Sequence, residues 1–263
     1  MIQNITIIGG GNLGTSIARG LLALDRFNKE NIIISEKRAQ RVDYLKEEGF
    51  EITTNYIDAV KNSDAVIISV KPQHYSEILT DIKSIITDKK VVISTVTGVT
   101  HAEIESHLGA RPNVRIMPNT AIEIKAAMTC LSFSNVDSES EKDIMHIFSD
   151  LGEAIKVLED QLDAVTVLGA CGIAFALRFI RAAAQGGIEI GFSAELSSLI
   201  AAKTVEGAAR LLLENRSHPE QEIDKVTTPQ GITISGLNEM EHQGFSSSII
   251  KGILASYNKL SGK

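Results

Sequence analysis

The chain has 263 residues, 43% of them hydrophobic, enough for one large domain or two small ones with a sizeable core. Its net charge of −7, with no basic segment interleaved with aromatics, argues against nucleic-acid binding. Cys130 and Cys171 lie far apart with no CxxC partner and no signal-peptide pattern opens the chain, so no metal or disulfide framework is expected and a reducing cytoplasm is the default location.

Chain order begins with an apolar run at residues 5–8, followed by Gly9-x-Gly11-x-x-Gly14 and a helical stretch over 12–24. Each glycine has a mechanical reason. Gly9 permits a sharp turn, Gly11 lets the backbone approach a pyrophosphate, and Gly14 lets helix and strand pack closely. The helix start, with Asn12 and Leu13, then offers free N–H groups to the phosphates. A dinucleotide site is expected here.

Further strands are expected at 32–35, 65–70, 91–94 and 114–117, with helices at 38–48, 74–86 and 100–108 between them. Two more strands, at 128–133 and 154–157, flank a helix at 138–151. Strands alternating with amphipathic segments imply right-handed βαβ units and a parallel sheet. From about residue 160 the strand pattern stops. Residues 162–215 and 239–259 are helical in spacing and rich in alanine and leucine. The apolar stretch 164–177 is too short to cross a bilayer and stops at Arg178, so it is read as a buried helix and no membrane is expected. The expected fold is α/β: a Rossmann-type parallel-sheet domain over 1–158, then an all-α domain over 159–263. Segments 180–190 and 194–213 are apolar on more sides than one buried face requires, so the helical half is expected to pack as a homodimer or higher homo-oligomer.

The carboxyl ends of the strands carry the candidate site, where ligands bind in open α/β sheets. Glu36, Lys37 and Arg38 follow the second strand. A carboxylate there suits the ribose hydroxyls of NAD, and cations suit the extra phosphate of NADP. The two adjacent cations favour NADP, and Glu36 keeps NAD open. Val70-Lys71-Pro72-Gln73, Thr95-x-Thr97-Gly98 and Met117-Pro118-Asn119-Thr120 close the next three strands and offer polar groups near the cofactor. The six histidines show no i, i+4 metal pair.

These motifs resemble the pyrroline-5-carboxylate reductase family. The resemblance rests on the Gly9–Gly14 turn, Thr54-Asn55, Val70-Lys71-Pro72-Gln73 and Met117-Pro118-Asn119-Thr120. In the helical half it rests on Asp163-Ala164-Val165-Thr166, Thr204-x-x-Gly207-Ala208-Ala209 and the run from Thr228 to Leu237. It implies a Rossmann domain, a helical dimerisation domain, and NADP- or NAD-dependent reduction of 1-pyrroline-5-carboxylate to L-proline. It implies Gly9, Gly11, Asn12, Leu13, Gly14, Glu36, Lys37, Arg38, Asn55, Val70, Lys71, Pro72, Thr97, Gly98 and Asn119 at the cofactor. It also implies Thr233 at the ring nitrogen, Thr228 at the carboxylate, and Gly231 and Ile232 beside them. By residue type alone, Thr227 to Thr233 is equally a loop ending in a helix start.

The chain departs from the family pattern in its second half. Gly169-Ala170-Cys171-Gly172-Ile173-Ala174-Phe175 stands where the family shows a Ser-Gly-Ser-Gly-Pro-Ala-Tyr-like segment. Lys203-Thr204 replaces Gln-Thr, Arg181 lies where a glutamate is usual, and Ala121-Ile122-Glu123 follows the MPNT block. Lys203 is read either as a substrate anion anchor or as a salt-bridged helix residue. Two other functions stay open: a reductase of another imino or keto acid, β-hydroxyacid-dehydrogenase-like, and a non-catalytic NAD(P)-binding dimer. Gly207 one turn after Lys203 counts against the former, since that chemistry needs an asparagine there.

Overall fold

The computed structural model describes residues 1–262. The chain forms two compact units, Met1–Cys171 and a second beginning at Gly172.

The first unit contains β1 (Ile5–Ile8), α1 (Asn12–Leu22), β2 (Ile32–Ser35), α2 (Ala39–Glu47), β3 (Glu51–Thr53), α3 (Tyr56–Lys61) and β4 (Ala65–Ile68). It continues with α4 (Tyr75–Ile82), β5 (Val91–Ser94), α5 (His101–Leu108), β6 (Asn113–Met117), β7 (Ala127–Ser134), α6 (Ser138–Ser149), β8 (Gly152–Lys156) and α7 (Leu162–Val165). The strands form one sheet in the order β3-β2-β1-β4-β5-β6-β7-β8. Strand pairing is parallel from β3 through β6 and again between β7 and β8, but β6 and β7 run antiparallel.

Alternation along the strands builds the two faces. Ile5 and Ile7 of β1 join Ile17 and Leu21 of α1 and Phe148 of α6 in one core. Ile8 joins Val66 and Ile68 of β4, Val60 of α3, Leu79 of α4 and Ile104 of α5 in the other. Because both faces are covered, the strands read as unbroken apolar runs. Each fully buried isoleucine contributes roughly 1.5–3 kcal/mol of transfer free energy.

Residues 159–171, assigned by sequence pattern to the second domain, pack within the first unit. Leu162 is buried with Met117 of β6 and Cys130 of β7, and Val165 and Ala170 pack against them. Thr166–Cys171 is wound as a π-helix, and its first residues are buried.

The second unit contains α8 (Gly172–Glu189), α9 (Ala194–Asn215), α10 (Pro219–Val226), α11 (Ile232–His242) and α12 (Phe245–Leu260). Ser193 caps α9 by accepting from the Leu196 N–H, and Pro219 opens α10 with its φ already helical. The continuous helix expected over 239–259 is instead broken. Gly244, at φ 79°, separates α11 from α12. Among the described residues of this unit only Ala184, Ser197 and Ala201 are buried. Leu177, Leu199, Leu213 and Ile250 are more than half exposed. Five helices with so small an interior lack a core of their own. The helical run Glu159–Glu189 is also long and apolar enough to cross a membrane by length and composition, which exceeds the stretch 164–177 read from sequence.

Candidate functional site

The glycine turn is built by contact. Gly9 has φ 113°, and a Cβ there would lie 2.2 Å from the Ser69 carbonyl oxygen. A Cβ on Gly14 would lie 2.0 Å from the Gly9 carbonyl oxygen. These two glycines therefore let β1, β4 and α1 converge. Gly11 differs, since a Cβ there would meet no atom of the described residues within 4 Å. Its missing side chain leaves room for something other than protein. No side chain caps α1, so its first N–H groups stay available to an anion.

This turn is one wall of a cavity of about 600 Å³ at the carboxyl ends of β1, β2 and β4. From the expected set, Gly9, Gly11, Glu36, Lys37, Arg38, Val70 and Lys71 line it. Residue-type reasoning missed Ser35, Tyr56, Ser69, His74, Glu77 and Ile78, which also line it. The Lys37 ammonium sits 5.3 Å from the centre of the Tyr56 ring, and the Tyr56 hydroxyl donates to Asp81. Burial, together with that bond, raises the Tyr56 phenol well above its ordinary value. Tyr56 therefore stays protonated and serves as a wall with a cation on its face.

Glu36 is buried at the end of β2. Its Oε1 accepts from the backbone N–H groups of Lys37 and Arg38 at 2.9 Å each, and from Arg38 Nε at 3.1 Å. Its Oε2 accepts from Arg38 Nη2 at 2.8 Å. Burial raises the Glu36 carboxyl, but Arg38 and the two N–H groups outweigh it and hold the group below the ordinary carboxylate range. A further residue with no motif signature secures the turn. Arg41, on α2, donates from Nε to the Gly10 carbonyl at 2.7 Å and from Nη2 to Thr15 Oγ1 at 3.0 Å.

The other expected cofactor residues lie outside the cavity lining. Asn55 caps α3 by accepting from the Ile57 N–H and donates to Asp58. Pro72 opens a short 3-10 turn after β4. Thr97 and Gly98 lie beyond β5. Asn119 caps the turn Thr120–Ile124 and donates to the Gly169 carbonyl at 3.3 Å. The substituted Glu123 has a structural partner here, because Ser16 Oγ donates to it at 2.8 Å and Arg19 pairs with it at 3.3 Å.

In the second unit, the Thr228–Gly231 segment turns back on itself. The Gly231 N–H donates to the Thr228 carbonyl at 2.9 Å, and Gln230 takes φ 60°. A Cβ on Gly231 would lie 2.5 Å from Thr228 Oγ1. Gly231 then starts α11 with no side-chain cap, so helix N–H groups lie beside Ile232 and Thr233. Ile232 is 92% exposed. Lys203 pairs with Glu206 on α9, matching the salt-bridged reading of that residue. Among the described residues no cluster of metal-ligating side chains occurs.

Comparison with known proteins agrees with both units. A family model described as pyrroline-5-carboxylate reductase dimerisation matches residues 159–262, and one described as NADP oxidoreductase, coenzyme F420-dependent, matches residues 4–98. Pyrroline-5-carboxylate reductase 1 of Dictyostelium discoideum is 47% identical over 270 residues, covering 98% of this chain and 49% of that protein. The chain thus spans about half the length of that relative. Pyrroline-5-carboxylate reductase 2 of the same organism is 43% identical over 276 residues, covering 98% of this chain and 92% of that protein.

The chain belongs to the pyrroline-5-carboxylate reductase family. A solved structure of the Plasmodium falciparum pyrroline carboxylate reductase with NADP bound shares the fold, with a TM-score of 0.88 at 24% identity over 98% of this chain and 97% of that one. For a member of this reductase family, the bare apolar surfaces of α8, α9 and α12 are the surfaces of a dimerisation domain.

Proposed function

We propose that this chain reduces 1-pyrroline-5-carboxylate to L-proline with NADPH, acting as a homodimer or larger homo-oligomer in the cytoplasm. The open space at Gly11, beside an uncapped α1 and within a cavity walled by Lys37, Arg38 and Lys71, carries the reading. That arrangement fits a dinucleotide phosphate, and none of the described residues fills it. When bound, the nicotinamide supplies a hydride to the imine carbon.

The chain's own residues have positioning tasks. Gly9, Gly11, Asn12, Leu13 and Gly14 hold the phosphates, and Lys37, Arg38 and Lys71 supply the positive charge around them. Thr228 and the N–H groups at the start of α11, from Gly231 and Ile232, hold the substrate carboxylate. Thr233 keeps its hydroxyl at the ring nitrogen. Since a protonated imine already carries its charge, fixing the substrate pose is the larger contribution. Both cysteines are free, and burial raises the Cys130 thiol, which keeps it protonated and out of the chemistry.

The test is oxidation of NADPH with pyrroline-5-carboxylate, beside smaller and larger cyclic imines and hydroxyacids. Turnover selective for the five-membered imine is expected. Tight cofactor binding with no turnover on any of them refutes the reading and leaves a non-catalytic NADP-binding dimer.

A further inference from the structure

At the end of the second Rossmann strand an acidic side chain ordinarily accepts the ribose hydroxyls of NAD and repels a 2′-phosphate. Glu36 holds that position, yet most of its acceptor capacity is spent. A carboxylate offers about four lone-pair sites, two on each oxygen; Glu36 Oε1 is taken by two backbone N–H groups and Arg38 Nε, and Oε2 accepts from Arg38 Nη2. One site on Oε2 is left, too few to accept both ribose hydroxyls.

We propose that Glu36 is a positioning residue that aims Arg38, and that the pair selects the 2′-phosphate of NADPH. This inference rests on the NADP-dependent reading above.

The guanidinium geometry supplies the reason. Arg38 spends its Nε and one Nη2 hydrogen on Glu36. Its other edge, Nη1 with the second Nη2 hydrogen, has no partner among the described residues. The side chain is 68% exposed while that of Glu36 is 7% exposed. A planar fork can thus rest one edge on a buried carboxylate and present the opposite edge, two parallel donors, to a phosphate. A free arginine of this length has many rotamers. Ordering it before the phosphate arrives removes an entropic cost from binding.

Its surroundings agree in sign. Lys37 lies over Tyr56 on the same cavity wall, and Lys71 and His74 line it too. Glu77 is the other carboxylate in the lining. In addition, α2 begins at Ala39 with no side-chain cap, which leaves N–H donors beside Arg38. The acid therefore builds the phosphate site, although residue type alone suggests the reverse.

The opposite predictions make the test sharp. Binding of 2′,5′-ADP and 5′-AMP to the full chain is measured by calorimetry, with Glu36→Gln and Arg38→Met alongside. Gln retains Oε1 to accept the two backbone N–H groups but places an amide against Arg38 Nη2. Wild type is expected to favour 2′,5′-ADP by about tenfold or more, the worth of one charge-assisted pair. Glu36→Gln is expected to lose most of that preference while 5′-AMP binding stays within about twofold. A merely structural defect would weaken both fragments alike. Arg38 is exposed, so Arg38→Met keeps the fold and must lose the same preference. Stronger or unchanged 2′,5′-ADP binding in Glu36→Gln overturns the proposal. If wild type binds both fragments equally, the proposal fails and the dinucleotide reading stands. If neither fragment nor NADPH binds, the dinucleotide reading itself fails.

Discussion

Arg26 and Asp143 lie 117 positions apart and meet as a two-pronged ion pair, Nη1 to Oδ1 at 2.7 Å and Nη2 to Oδ2 at 2.8 Å. Asp143 Oδ2 also accepts from the Ile2 N–H at 2.6 Å, and Arg26 donates to the Ile2 carbonyl at 2.6 Å. The clamp ties the loop after α1, the lead-in to β1 and α6. Burial raises the Asp143 carboxyl, and the bonds from Arg26 and Ile2 overcome that and depress it. A depressed carboxyl stabilises the fold fully above its unfolded value of about 3.9 and loses that contribution as the pH falls through its lower folded value. Asp143→Asn is expected to cost about 2 kcal/mol at pH 7, since a charged partner and the acceptor for Arg26 are lost together. The gap to wild type should close on acidification below about pH 4. Urea melts at matched protein concentration read both; a gap that stays constant from neutral to acid pH would show that the clamp's carboxylate is not the source.

Gly11 and Gly14 are separable by experiment. A methyl on Gly14 would strike the Gly9 carbonyl, whereas one on Gly11 enters open space. Gly14→Ala is expected to lower the melting temperature and to abolish nucleotide binding. Gly11→Ala should melt like wild type and yet bind NADPH at least about tenfold more weakly, because the methyl occupies the place of the pyrophosphate. Thermal melts with and without NADPH give both numbers. Equal NADPH affinity in Gly11→Ala and wild type would remove the phosphate from that corner.

Much of the first unit is readable from residue type. Ile5–Ile8, Ile32–Ser35 and Val91–Ser94 match the expected strands because a strand buried on both faces must be a short run of β-branched residues. β3 escapes the same reasoning. It is three residues at the sheet edge, with Ile52 the only apolar one, and its pairing with β2 is what defines it. The reversed β7 escapes too, since an apolar run has no direction until its neighbour is known. In the site, Lys37, Arg38 and Lys71 follow strands and are found by position. Tyr56 lines the cavity and Arg41 reaches the turn from elements after other strands, so only the folded chain reveals them. The fate of Glu36 is the clearest case. Its residue type is plain in sequence, but whether it faces a ribose or Arg38 is a matter of rotamers.

The second unit leaves an apolar stripe uncovered on α9. Leu196, Leu199 and Ile200 recur at helical spacing on α9 and all are more than 40% exposed. Three such side chains, each worth roughly 1.5–3 kcal/mol when covered, would leave an isolated subunit soluble only with difficulty. Ile200→Asp is expected to shift the assembly to monomers, or to raise the concentration at which it dissociates by more than about tenfold. Sedimentation velocity over a range of concentrations reads this. An assembly unchanged in size and dissociation would place the interface on another face of the unit.

Thr233 offers the most direct test of the substrate proposal. It lies in the first turn of α11, a helix whose start carries no side-chain cap and follows the Thr228–Gly231 turn. Its backbone N–H lies in the uncapped first turn whatever its side chain, so Thr233→Ala removes the hydroxyl alone. If that hydroxyl serves the ring nitrogen, kcat/KM for pyrroline-5-carboxylate falls by about tenfold to a hundredfold, while the NADPH dissociation constant stays within about twofold. Thr233→Ser should recover most of the loss by restoring the donor. Thr228→Ala, at the carboxylate, is expected to act mainly through KM, because that contact is made equally in ground and transition states. Steady-state kinetics with both variants, beside a fluorescence titration of NADPH, separates the roles. Wild-type kinetics in Thr233→Ala would take the residue out of the site. A parallel loss of NADPH affinity would mean instead that α11 supports the cofactor and not the imine.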